Sequence, residues 1–256
     1  AILLVGGAVS ADALVPLLEA RFGTWKPEGV QDPKPEPAIA PGERPVLYLV
    51  DKPGAAQSVV RAVQVVGQRT DPDYYDLVIG NTVLGGAFTS RVNMNLREEK
   101  GYTYGARCAF NYRYGPGLWS CTTSVETSVT GPAIAELQGE IAAAIASEPL
   151  TAEEVAFYRE AEARGYAGGF EVTSAILDEK AAIWRYGLPS DWTERYLAGV
   201  ARVKTASANA ALAKRLKPAE MTWLVVGDAE KVRPGLEALG LRIVMLDRDG
   251  GDLTKR

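Results

Sequence analysis

Residues 84–105 read LGGAFTSRVNMNLREEKGYTYG, and the fold is read from how this run changes its period. It opens on Gly85-Gly86, a pair that lets the backbone turn sharply or approach another segment closely. In the following stretch Val92 and Leu96 lie four apart, on one helical face. Arg97-Glu98-Glu99-Lys100 carry charge to the end of that helix, and Gly101 supplies its stop. Tyr102-Thr103-Tyr104 then suit a pleated strand, where aromatic and β-branched side chains pack well. The run therefore predicts helix, turn and strand. Arg97 and Tyr104 bracket the turn and aim a guanidinium and a phenol at one spot.

Outward from there, the strand begun at Tyr104 is expected to run to Tyr112, turn through Tyr114-Gly115-Pro116-Gly117 and return from Leu118. Upstream, Val46 to Val50 and Ser58 to Val66 read as strands, and Asp71-Pro72 as the start of a helix with Asp71 as its cap. Downstream, Thr130 is expected to cap a helix carrying Ile134, Leu137, Ile141 and Ile145 on one face. Thr151-Ala152-Glu153-Glu154 has the form of a capping box and opens a largely helical tract to Leu216, broken at Gly168-Gly169 and Gly187-Leu188-Pro189. Thr222 to Val226, Lys231 to Leu239 and Ile243 to Leu246 read as strand, helix and strand. The charged tail at 247–256 is expected to be mobile.

The first residues repeat this ending. Leu3-Leu4-Val5-Gly6-Gly7 followed by Pro16-Leu17-Leu18-Glu19-Ala20 echoes Leu224-Val225-Val226-Gly227-Asp228 followed by Pro234-Gly235-Leu236-Glu237-Ala238. Such self-similarity predicts a duplicated domain, chance likeness between two strand–helix units being the alternative. Residues 1–24 then close a preceding sister half, the proline-rich stretch at 25–45 is a linker, and 46–246 form one complete domain.

Composition narrows the function. The chain has 256 residues, 47% of them hydrophobic, enough for one large or two small cores. A net charge of −4 gives no basic footprint for nucleic acid. No apolar run reaches bilayer-spanning length. AILLVGG lacks the basic start of a signal peptide and lacks a Met, so the chain reads as processed or cut from a longer one. There is no histidine, which excludes an inverted zinc motif and any histidine-based triad on this chain. Cys108 and Cys121 are the only thiols, so a CxxC zinc cluster is excluded too. They lie on the two arms of the predicted hairpin and face each other if the register is right; a bulge at Gly115-Pro116-Gly117 would offset them, leaving two core thiols. A bond between them would persist only in an oxidising compartment such as a periplasm, the one pointer to location in the sequence. Glu98-Glu99 reads as a solvated helix end, Glu153-Glu154 as capping, and Trp184, Tyr186, Trp192 and Tyr196 as core. GxGxxG is absent, so nucleotide binding has no support.

LGGxFxSRxxxxLREEKGYxYG resembles the second-half signature of the pitrilysin-like metallopeptidases, family M16, and of their mitochondrial-processing-peptidase relatives. A looser likeness runs over nearly the whole chain. The resemblance implies an α+β fold, a mainly antiparallel sheet covered by helices, of the M16 half-domain (LuxS/MPP-like) type. In that family one half carries an inverted zinc motif, His-x-x-Glu-His, and the other supplies an Arg and a Tyr that touch substrate near the metal. Arg97 and Tyr104 match that pair in type and spacing. By implication this chain holds no metal, zinc belongs to a partner half or subunit, the substrate is a peptide, and the chain alone is inert. Gly85 and Gly86 stand where the processing peptidases carry a longer glycine-rich substrate loop. The competing reading is a scaffold or peptide-binding module without proteolysis, in which Arg97 pairs with Glu98 or Glu99 and Tyr104 packs into a sheet.

Overall fold

In the computed structural model of the chain, residues 2–26, 29, 46–113 and 115–253 are described. Six strands, β1 (Val46–Asp51), β2 (Gln57–Val65), β3 (Thr103–Asn111), β4 (Leu118–Glu126), β5 (Thr222–Gly227) and β6 (Arg242–Leu246), pair in the order β3-β4-β2-β5-β1-β6. The three ladders from β3 to β5 are antiparallel, and β1 runs parallel to both β5 and β6. This is the expected mainly antiparallel α+β sheet. Alternation along β2 buries Ser58, Val60 and Ala62 and turns Val59 and Arg61 outward, as a period of two requires of a half-covered sheet. The covered face carries the fully buried Trp119 and Trp223 beneath helices.

Those helices are α2 (Tyr74–Asn81), α3 (Arg91–Asn93), α4 (Thr130–Ile145), α5 (Ala152–Gly168), α6 (Thr173–Tyr186), α7 (Trp192–Arg202), α8 (Thr205–Arg215) and α9 (Ala229–Glu237), following α1 (Ala11–Phe22) near the start of the chain. Ile134, Leu137 and Ile141 are fully buried, so the stripe read on α4 faces the core. The capping box at Thr151 and Glu154 forms in both directions. Gly187, at φ 63°, ends α6 in the left-handed conformation that favours glycine.

Several boundaries differ from expectation. Residues 2–5 form no strand: each strand needs a ladder neighbour, and every described strand has found its own partners elsewhere. Asp71 is not the cap of α2; Asp73 precedes that helix, while the Asp71 carboxylate takes the Gln68 N–H at 2.9 Å and pairs with Arg215 at 2.7 Å. Thr130 is the first residue of α4 rather than its cap, because a short 3-10 turn at Thr127–Val129 leads in. The last helix starts two residues early, at Ala229. Part of the predicted mobile tail is folded back, with Leu246 bridged to Asp252. Trp184, read as core, is 58% exposed. The proline-rich linker, apart from residues 25, 26 and 29, and residues 254–256 lie outside the described residues.

Candidate functional site

The signature run folds as predicted at its turn and differently at its ends. Helix α2 continues into a π-helical turn, Thr82–Gly86, and α3 into another, Met94–Glu99. Such bulges recur at functional sites. Gly101 sits at φ 66°, so it admits the left-handed turn that releases the chain into β3. Gly85 serves close packing: a Cβ there would overlap Sγ of Cys108. Cys108 and Cys121 are directly opposed in the β3–β4 register and are joined in a disulfide. The bulge lies at the other end of the hairpin, so nothing offsets them.

That bulge positions Tyr104. Between Thr103 and Ala106 the β3–β4 register shifts, Thr103 facing Val125 and Ala106 facing Thr123, which leaves one extra residue on β3. The Thr103 hydroxyl bonds the Ser124 carbonyl at 2.8 Å, and the Thr123 hydroxyl donates to the Gly105 carbonyl at 3.0 Å, fixing the distortion from both strands. Tyr104 is thereby thrown out of the sheet and is 91% exposed. It does not pack into the sheet. Arg97 is half-buried; its guanidinium lies 4.4 Å from the Phe88 ring centroid, and its Nε is 3.3 Å from Glu98. Phe88 itself is two-thirds exposed, at 67%.

Arg97 and Tyr104 line one open cleft of about 610 Å³, together with Gln57, Glu98, Thr103 and Glu126. Tyr104 also borders an adjoining cavity of about 260 Å³, whose walls include Gly86, Phe88, Asn93 and Arg107. The structure thus brings Arg97, Tyr104 and Gly86 to one place. Gly85 is buried one residue behind, against the disulfide.

Sequence reasoning missed the groups that hold this site. Buried Asn93 lies one turn before Arg97 on the same helical face. Its Nδ2 donates to the Phe88 carbonyl at 2.5 Å and its Oδ1 accepts the Ala106 N–H at 2.8 Å. One side chain therefore ties the loop bearing Phe88 to the bulge bearing Tyr104. Arg91 forks onto Glu154 at 2.7 and 2.6 Å and reaches the carbonyls of Glu148 and Pro149, anchoring α3 to the start of α5. The Arg91 fork holds the Glu154 carboxyl down at about 2. Thr89 bonds Tyr158 at 2.8 Å, and Asn95 reaches Glu136 and Glu140 of α4. The only advance signal for these braces is the density of polar residues on a helix next to a glycine turn.

The described residues do not fit a metal. Both cysteines are bonded to each other, and among the described residues no group of three potential ligands is close enough to hold an ion. No described helix is long and apolar enough to cross a membrane.

Among the described residues, a mixed sheet under helices thus carries an arginine and a bulge-borne tyrosine at an open cleft, with no cluster of potential metal ligands. The chain belongs to the peptidase M16 inactive domain family, whose model matches residues 1–162. Its fold is similar to that of the peptidase M16 inactive domain from Pseudomonas fluorescens (TM-score 0.64, 22% identity, 71% of this chain and 43% of that one). It is also similar to a protease from Helicobacter pylori (TM-score 0.71, 14% identity, 85% and 53%). A third likeness is to a putative zinc protease from Bordetella pertussis Tohama I (TM-score 0.58, 16% identity, 68% and 95%). The chain spans about half the length of the first two. No curated protein matches it.

Proposed function

We propose that this chain is the non-zinc half of an M16-type metallopeptidase, supplying an Arg/Tyr pair and one wall of a chamber for peptide cleavage at a zinc site carried by another half or subunit. The observation that carries it is the common cleft of Arg97 and Tyr104, with a phenol held in solvent by a bulge that two threonines brace. A buried tyrosine would serve packing; an exposed one at the end of a braced distortion is placed to meet something else.

The Arg97 fork holds a peptide carbonyl or carboxylate, oriented by Phe88 beneath it. The Tyr104 hydroxyl donates to the oxygen on which charge develops as the peptide bond is attacked. Gly86 gives the substrate a side-chain-free backbone wall, Gly85 behind it packs against the disulfide, and the outward sheet face around Val59 and Arg61 continues the chamber. Residues 1–24 close a sister half, linked through 25–45 to the domain at 46–246. Exposed Leu3, Val15, Leu17, Phe22 and Trp25 support that reading, since α1 buries none of its residues within this chain. The chain alone neither binds zinc nor cleaves peptides.

The test is reconstitution with a zinc-bearing half. Arg97→Ala and Tyr104→Phe are expected to lower turnover by about 10²-fold or more, the size of one lost oxyanion donor, with an unchanged unfolding midpoint. Unchanged turnover in both variants would leave Arg97 and Tyr104 as structural residues.

A further inference from the structure

A second cleft lies at the opposite end of the β2–β4 ladder. Gln57 pairs with Glu126 beside Arg97 and Tyr104, whereas Val65 pairs with Leu118, about 27 Å away for strands of this length. Just past Val65 an open pocket of about 330 Å³ is lined by Arg69, Arg113 and Arg185 together with Trp184 and Tyr186. Three arginines therefore border one small volume in a chain whose net charge is −4.

The carboxylates at this end are already engaged. Asp71 and Asp73 are taken by Arg215 at 2.7 and 2.6 Å, Glu162 accepts the Tyr196 hydroxyl at 2.6 Å, and Glu179 accepts that of Tyr166 at 2.9 Å. Among the described residues neither Arg69 nor Arg185 forms an ion pair; Arg113 has contacts of its own. The Arg69 guanidinium is set against aromatic rings, 3.5 Å from the centroid of Tyr74 and 4.6 Å from that of Trp192, and its Nη1 is buried without a hydrogen-bond acceptor. The hydroxyl of Tyr112, whose ring lies 5.8 Å from the same guanidinium, is likewise buried without a partner. Buried donors left unmet are costly, and the Arg69 side chain that borders this pocket carries one of them.

We infer that this pocket binds the carboxylate of a peptide, through Arg185 and Arg69, with the exposed indole of Trp184 covering an adjacent apolar side chain. A carboxylate suits it better than a phosphate. The Asp71 and Asp73 charges beside it, though paired, lower the local positive potential, and the aromatic wall favours a ligand whose charge sits next to carbon. The inference rests on the peptidase reading for its choice of peptide, placing a second anchoring point far from the Arg97–Tyr104 cleft.

The test uses the intact chain without any zinc partner. An N-acetylated alanine tetrapeptide ending in leucine is titrated as its free acid and as its C-terminal amide, following Trp fluorescence and heat. An amidated version with an internal glutamate separates a side-chain carboxylate from a chain terminus. At least one carboxylate form is expected to bind about tenfold or more tightly than the uncharged amide, with the preference lost in Arg185→Ala and in high salt. Arg185 is exposed, so its removal leaves the core intact. Equal binding of acid and amide, no binding of either, a preference that survives Arg185→Ala, or tighter binding of inorganic phosphate would each overturn the inference. Acid-selective binding alongside a failed reconstitution with zinc-bearing halves would keep this site and remove the peptidase reading.

Discussion

The two ends of the β2–β4 ladder use the same contact in opposite ways. At one end the half-buried Arg97 lies over the exposed ring of Phe88; at the other Arg69 lies over Tyr74 and Trp192, which are buried. A guanidinium on an aromatic face is worth roughly 0.5–1 kcal/mol when exposed and about 2 or more when desolvated. The buried end therefore binds α2 to α7 as part of the core. At the open end the same contact contributes little to folding and holds Arg97, beside Glu98, at the edge of the cleft. The same contact thus serves packing where the rings are buried and orientation where the ring is exposed.

The largest expected effect is at the buried end. Trp192→Ala removes a ring packed against Tyr74, Tyr75 and Tyr196 and should cost about 3–5 kcal/mol in urea unfolding. A loss below about 1 kcal/mol would mean the cluster is loosely held and the contrast with the open end fails. Asn93→Ala comes next. It leaves the Ala106 N–H without its acceptor and should cost about 1–3 kcal/mol. It should also reduce turnover of a reconstituted enzyme with Arg97 and Tyr104 still present, because the bulge and the Phe88 loop are no longer tied. Rescue of turnover by a second substitution that restores stability elsewhere would show Asn93 to be merely structural.

Acid sharpens the same comparison. The folded Glu154 carboxyl is held at about 2 by Arg91, against an ordinary 4.5. A depressed folded value contributes stability that is complete above the ordinary value and is lost as pH falls toward the folded one. Thermal midpoints of the natural chain should therefore fall more steeply between about pH 4.5 and 2 than those of Glu154→Gln, with the cleft end opening first in hydrogen exchange. Parallel curves for the two proteins would remove Arg91 as the anchor of α3. The smallest effect belongs to Phe88→Ala, expected to change stability by only about 0.5–1 kcal/mol while lowering turnover of the reconstituted enzyme. A larger loss of stability would place Phe88 with the core.

Arg97, Tyr104 and the glycine between them were legible because a helix stop followed by aromatic and β-branched residues is a local signal, carried by neighbours in the chain. The facing cysteines were legible for a similar reason: a hairpin sets register across a short turn. The bulge at Thr103–Ala106 was not, since it depends on Thr123 and Ser124 arriving from the partner strand. Nor were the roles of Asn93 and Arg91, whose partners lie in other elements, up to 63 residues away in the case of Glu154.

The echo between the two ends of the chain marks the limit most clearly. Leu3-Leu4-Val5 and Leu224-Val225-Val226 carry the same local pattern, and each precedes a helix. Only the second became a strand, buried between β2 and β1; the first lies exposed. The sequence by itself determined the helical and strand periods, the stop at Gly101, the absence of histidine ligands and the capping of α5, all properties of residues close in the chain. The tertiary structure alone decided which apolar run found a ladder partner, which tyrosine was turned out of the sheet and which arginine was set among buried rings. Backbone pairing and burial are satisfied between segments far apart in sequence, and no local pattern records which segments will meet.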